Sequence, residues 1–309
     1  MIKIYAPASI GNLGVGFDLL GAAISPIDHN FLGDCITVCS SKIFNIINTG
    51  EFSTQLPNNM HKNIVYQTWK IFCKIIQKKI PVKIILEKNM PIGSGLGSSA
   101  SSIVASTVAL NIFFKTNLKK QKLLKIMGKL EGLVSGSIHY DNVAPSFLGG
   151  TQLIIQEKNI ISQKIPMFEN WFWVIAWPGS QLSTVISRDI LPKKYTRKTC
   201  VQQNKNIATF MHAIYTNQKE LALQVMNDLI AEPYRIPLLK NFDVTKKNLL
   251  KLGARTCHIS GSGPTIFSIC DDYEVAKTSE TWLKKNFLQN KKGFVHICKI
   301  DNYGSKQVR

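Results

Sequence analysis

Residues 91 to 101 read PIGSGLGSSAS, three glycines among serines with no charge, and the segments on either side differ in period. Upstream, Val82, Ile84 and Leu86 alternate with Lys83 and Glu87, the pattern of a half-buried strand. Downstream, SSIVASTVALNIFF stays apolar and small-residued over about four turns, as a buried helix does. A glycine run that joins a strand to a helix inside an apolar region is a loop whose backbone must approach something closely. A linker does not fit.

Three familiar glycine templates fail on this stretch. G-x-x-x-x-G-K-[ST] would need a glycine where Ser98 stands and a lysine after it. The dinucleotide spacing G-x-G-x-x-G is replaced by glycines at 93, 95 and 97. A nucleophile elbow opening at Gly97 would need its second glycine at Ser101. The physics common to such loops survives: glycines let the backbone approach an anion, and the N–H groups opening the next helix carry partial positive charge. Ser98 and Ser99 can cap that helix or offer a hydroxyl to Mg²⁺. A plain strand–turn–helix corner with a serine cap is the alternative. Two further glycine loops, APASIGNLGVGFD (6–18) and HISGSGPT (258–265), suggest that one composite site is assembled from distant segments.

The 309 residues suffice for two domains, and 45% hydrophobic residues support a sizeable core. No apolar stretch reaches the roughly 18 residues of a membrane span, and the MIKIYAPAS start lacks a signal-peptide core, so no membrane association is expected. Seven scattered cysteines without CxxC spacing fit a reducing cytoplasm better than a disulfide frame or a zinc site. The net charge of +19 is compatible with nucleic acid, but the lysines run from Lys3 to Lys306 among many Asn and Ile. That is a chain-wide bias, not a patch, so no nucleic-acid partner is expected, and a positive field also suits a small anionic substrate.

Strand pieces at KIYAPAS and CITVCSS flank a glycine-rich connection. Helices are expected over 63–79, 118–137, 200–231, 243–252 and 273–287, with a loop and then a strand in IHYDNVAPSFLGGTQLIIQ. The composition turns polar near 160–170, and WFWVIAWPG begins a second strand-led unit, giving domains 1–165 and 166–309. The final strand is FVHICKI. Strands and helices mix in both halves, which indicates α+β architecture.

The pattern P-x-G-x-G-L-G-S-S at 91–99, the N-x-x-x-G-F-D start ending at Asp18 and the SGSGPT loop at 260–265 together resemble the GHMP small-molecule kinases. With GSIHYDNVAPSFLGG and AEPYR, the likeness runs from Lys3 to about Lys299. It implies a two-domain GHMP kinase fold, with an N-terminal domain like domain 2 of ribosomal protein S5 and a ferredoxin-like C-terminal domain. It implies that ATP phosphorylates a small hydroxy acceptor: L-homoserine by the closest match within the family, on the route to threonine, with mevalonate as the alternative. A homodimer is what the family suggests.

Roles follow from the same resemblance. The loop Pro91, Ile92, Gly93, Ser94, Gly95, Leu96, Gly97, Ser98, Ser99, Ala100 and Ser101 would wrap the phosphates. Ser99 and Glu131 would bind Mg²⁺, which prefers oxygen ligands. Lys88 would reach the phosphates, and Asn63 would line the adenine pocket. Asn12, Asp18, His139, Arg188 and Arg235 would hold the zwitterionic acceptor, the arginine forks suiting its carboxylate and Asp18 its ammonium. Thr184 would lie near the transferred group. Asp141 matches the position from which other family members accept the hydroxyl proton, but it and Asn142 are expected chiefly to position groups.

Overall fold

The computed structural model describes residues 1–28, 30–157 and 159–308. Strand β1 (Ile2–Gly11) lies between β2 (Leu20–Pro26) and β3 (Gly33–Ser40), antiparallel to both. β4 (Asn45–Thr49) leads through 3-10 turns to helix α1 (Ile64–Ile75). β5 (Val82–Glu87) then inserts between β3 and β4, pairing antiparallel with the first and parallel with the second. Its burial alternates as the sequence predicts, with Val82, Ile84 and Leu86 inward.

After the glycine loop comes α2 (Ser98–Phe113), then α3 (Lys120–Ser135) and the short α4 (Val143–Leu148). α2 is buried on most sides because its serines and alanines let neighbours approach closely. Ser101 Oγ donates to the Ala6 carbonyl at 2.8 Å, and Ser106 Oγ lies 3.2 Å from Thr68 Oγ1. β6 (Thr151–Glu157) pairs with β2 and with β7 (Ile160–Ile165).

The second half contributes β8 (Phe172–Trp177), α5 (Thr184–Asp189), α6 (Arg197–Tyr215), α7 (Lys219–Val225), α8 (Glu232–Arg235) and α9 (Phe242–Lys251). β9 (Thr256–Ile259), β10 (Ile266–Cys270), α10 (Tyr273–Asn286), β11 (Phe294–Ile300) and β12 (Lys306–Gln307) complete it.

The strands form one sheet in the order β4-β5-β3-β1-β2-β11-β8-β10-β9, with β6, β7 and β12 paired off this path. The join between the halves is β2 against β11, with Ile24 opposite Ile300. Of three apolar clusters, the first lies between β1, β3, β5 and α1–α3, with Ile36, Phe72 and Ile103 at its centre. The third belongs to the second half, around Val174, Phe242 and Leu283. The second cluster draws Ala8, Leu20 and Ile24 from one half and Trp173, Phe210 and Phe267 from the other.

The sheet and the second apolar cluster continue across the boundary expected at 165/166, with Ile165, Phe168 and Trp171 all in that cluster. The polar stretch at 160–170 is not simply a connection: β7 occupies its first part, with Ile161 and Ile165 buried and Gln163 and Lys164 exposed. The helix expected over 200–231 is two helices, α6 and α7, followed by the turn at 227–231. α4 forms where loop alone is expected.

Candidate active site

Four loops meet at the end of the sheet where the halves join. Gly261 N donates to the Gly11 carbonyl at 2.9 Å, Ser9 N to Leu96 O at 3.1 Å, Thr265 N to Ser94 O at 3.1 Å and Leu182 N to Gly93 O at 2.8 Å. Ser260 Oγ donates to Gly95 O at 2.7 Å. Gly95 is required by this packing: its φ is +83°, and a Cβ there would overlap the Ser260 carbonyl oxygen. Together these loops line a cleft of about 420 Å³, a size suited to a small ligand.

On one wall stand Ile92, Gly93, Ser94, Gly95, Gly97 and the start of α2. Gly97, in the left-handed region at φ 65°, is the N-cap of α2, and no side chain caps the helix. The serines bond elsewhere: Ser98 Oγ donates to Met90 O at 3.3 Å, and Ser99 Oγ to Glu131 Oε1 at 2.9 Å. The first-turn N–H groups therefore have no side-chain cap, and Gly97, Ser98 and Ser99 line the cleft, an arrangement that favours an anion.

Glu131 comes from the buried face of α3. Burial is the main cause that raises its carboxyl to about 7, with the Ser99 hydrogen bond opposing and Asp141 adding. Its Oε2 is buried and has no hydrogen-bond partner. A buried carboxylate oxygen without a partner, beside a serine hydroxyl, is a donor set that fits a hard cation such as Mg²⁺.

The opposite wall carries the charged groups. Arg188, from α5, grips Asp18 with both terminal nitrogens at 2.7 and 3.2 Å, and its Nη2 lies 3.2 Å from His139 Nδ1. His139 is held below the ordinary imidazole range by burial and by that guanidinium. Arg235, at the end of α8, is buried and fixed by Nε to Ser187 O at 3.1 Å and Nη1 to Gly261 O at 2.8 Å. Asp141 is buried beside them, raised to about 6 mainly by desolvation, with Asp18 adding and Arg188 opposing. Asn142 accepts from Ser9 Oγ at 3.0 Å, and Thr184 Oγ1 lies 3.4 Å from Ser262 Oγ. Asn12, at φ 65°, also lines the cleft.

Several expected residues lie elsewhere. Lys88 is 1% exposed, and its Nζ is engaged by Asp34 Oδ2 at 2.5 Å, Ser98 O at 2.9 Å and Ser102 Oγ at 3.1 Å. It braces the loop from beneath and does not face the cleft. Asn63 is the N-cap of α1, accepting from Val65 N at 3.0 Å, and does not line the cleft. Leu96 and Ala100 belong to the apolar core, Pro91 is buried, and Ser101 is bonded to Ala6. Two residues escaped sequence reasoning. Phe17 lies under both guanidiniums, 5.5 Å from Arg188 and 5.2 Å from Arg235. Asp228 donates nothing and accepts from Asn12 Nδ2 at 2.8 Å. An aromatic in a glycine loop was the only available signal for the first, and no signal marked the second.

A cleft of this size with an uncapped helix start on one wall and a carboxylate–guanidinium cluster on the other is the site of a small-molecule phosphotransferase. Family models for the GHMP kinases N terminal domain and the GHMP kinases C terminal match residues 63–150 and 206–287. The chain belongs to the GHMP kinase family.

Within that family its similarity is to homoserine kinases. It is 61% identical to the homoserine kinase of Buchnera aphidicola subsp. Cinara cedri over 308 residues, 100% of this chain and 98% of that one. It is 58% identical to the one from Buchnera aphidicola subsp. Schizaphis graminum, with 100% of each chain covered. The crystal structure of homoserine kinase from Cytophaga hutchinsonii superposes with a TM-score of 0.90 at 32% identity, covering 99% of this chain and 97% of that chain. Mevalonate kinase from L. major shares the fold alone, at a TM-score of 0.71 and 14% identity over 96% of this chain and 95% of that one.

Proposed function

We propose that this chain transfers the γ-phosphoryl group of ATP to the side-chain hydroxyl of L-homoserine, giving ADP and O-phospho-L-homoserine. The observation that carries this is the opposition, across one cleft, of an uncapped helix start and the Asp18–Arg188–Arg235 cluster. Phosphoryl transfer needs positioning and neutralisation of charge more than covalent chemistry, and each wall supplies one of these.

The loop and the opening N–H groups of α2 hold the phosphates by backbone dipoles. Ser99 and Glu131 would hold Mg²⁺, whose charge when bound would offset that of the phosphates. The acceptor is a zwitterion, and the ion pair between Asp18 and Arg188 is its complement. When that pair opens, Asp18 takes the ammonium while Arg188 and Arg235 take the carboxylate. Phe17 keeps the two guanidiniums on one face despite their mutual repulsion. Asp141, with its carboxyl near 6, is mainly ionised at neutral pH and orients the acceptor hydroxyl together with Asn142. The seven free thiols suit a cytoplasmic setting.

Arg188→Met tests the assignment. The KM for L-homoserine should rise roughly ten- to hundredfold, because a charge-assisted contact is lost, while the KM for ATP stays within about twofold. Equal losses toward both substrates would count against it.

A further inference from the structure

Asn12 follows the last residue of β1 and is only 6% exposed. Its Nδ2 donates to Asp228 Oδ2 at 2.8 Å, and its Oδ1 is buried without any partner, in a residue that lines the cleft. The two ends of a carboxamide are nearly the same size, so the end shown to the cleft is decided by what holds the other end. Asp228 is 2% exposed and is not part of the cleft lining. Besides Asn12, its oxygens accept from the backbone N–H groups of Ile230 at 2.8 Å, Ala231 at 3.1 and 3.2 Å, and Glu232 at 2.9 Å. Every partner of this carboxylate is a donor.

We propose that Asp228 is a positioning residue: it pins the Asn12 amide so that Oδ1 faces the cleft, making this corner selective for an acceptor that carries an ammonium. The inference rests on L-homoserine as the acceptor. A buried acceptor oxygen without a partner is relieved by a donor, and the ammonium of an amino acid is a strong one. A hydroxy acid that lacks it leaves the oxygen unpaired. The same carboxylate also fixes residues 230–232, where α8 begins, and α8 ends at Arg235. One buried group therefore sets both the amide at the ammonium end and the helix bearing a guanidinium for the carboxylate end.

Asp228→Asn is the test. The Ile230 and Ala231 N–H groups hold its carbonyl oxygen at the Oδ1 position, so its NH₂ takes the Oδ2 position and faces Asn12 and the Glu232 N–H. The Asn12 amide then turns, and its own NH₂ points at the incoming ammonium. Calorimetric dissociation constants would be taken for L-homoserine, for 4-hydroxybutyrate (the same acceptor without its ammonium) and for ATP. L-Homoserine should weaken roughly ten- to hundredfold, the scale of a hydrogen bond to a charged group, with 4-hydroxybutyrate and ATP within about threefold. Equal weakening of both acceptors, or no change in either, would overturn the positioning role alone. An unaltered protein that does not bind L-homoserine would overturn the acceptor assignment and this inference with it. If Asp228→Asn does not fold, Asp228→Ser keeps one short acceptor for the backbone amides and is held to the same outcomes.

Discussion

Lys88 shows how a single side chain can be misread. A lysine just ahead of a phosphate loop invites a role on the phosphates, yet its ammonium is spent on Asp34, whose Oδ1 also accepts from the backbone N–H groups of Asn89 and Met90. The partner lies 54 residues away in sequence, which no local pattern reveals. Lys88→Met should lower the free energy of unfolding by about 3–5 kcal/mol, because Asp34 is left buried and unpaired. Urea denaturation checks this, and a stable variant with only a raised KM for ATP would restore the phosphate role. Glu131 gives a prediction with a sign. A proton and a divalent cation compete for the same oxygens, so the apparent Mg²⁺ affinity should fall as pH drops through about 7. The same raised carboxyl makes the metal-free fold lose stability as pH rises from the ordinary carboxylate range through about 7, since burial opposes charging it in place. Mg²⁺ titrations across that range should show this dependence in the unaltered protein and lose it in Glu131→Gln.

At the level of elements, the strand, loop and helix of 82–113 carry the site, and their alternation and apolar run made them legible. The loop works because it docks on the segment 260–263. Gly95→Ala should cost about 1–3 kcal/mol from the positive φ alone, and more from the overlap with Ser260. Nucleotide binding should weaken with it, and denaturation together with ATP titration would show whether the two losses travel together. Elements that were not legible have physical reasons. In β2 all but one of the residues of LGAAISP are buried, so no alternation marks it. α4 has six residues and includes Pro145, too short for a period. β7 presents Gln163 and Lys164 to solvent and so reads as polar. The charged cluster behaved similarly: Asp18 and Arg188 are 170 residues apart, and only the family resemblance paired their roles before the fold did.

Across the whole molecule, the two halves share a sheet through β2 and β11 and share the second apolar cluster, and the cleft lies where they meet. That continuity places backbone N–H groups from the first half opposite Arg188 and Arg235 from the second. The net charge of +19 adds a positive field that suits an anionic nucleotide. Among the described residues no helix is long and apolar enough to cross a membrane. The acceptor is decisive, because the proposed roles of Asn12, Asp18 and the two arginines are those of a zwitterion's complement. ADP release should therefore be followed with ATP, Mg²⁺ and each acceptor in turn. Release should depend on L-homoserine and be absent with mevalonate; turnover of mevalonate with none of L-homoserine would contradict this acceptor.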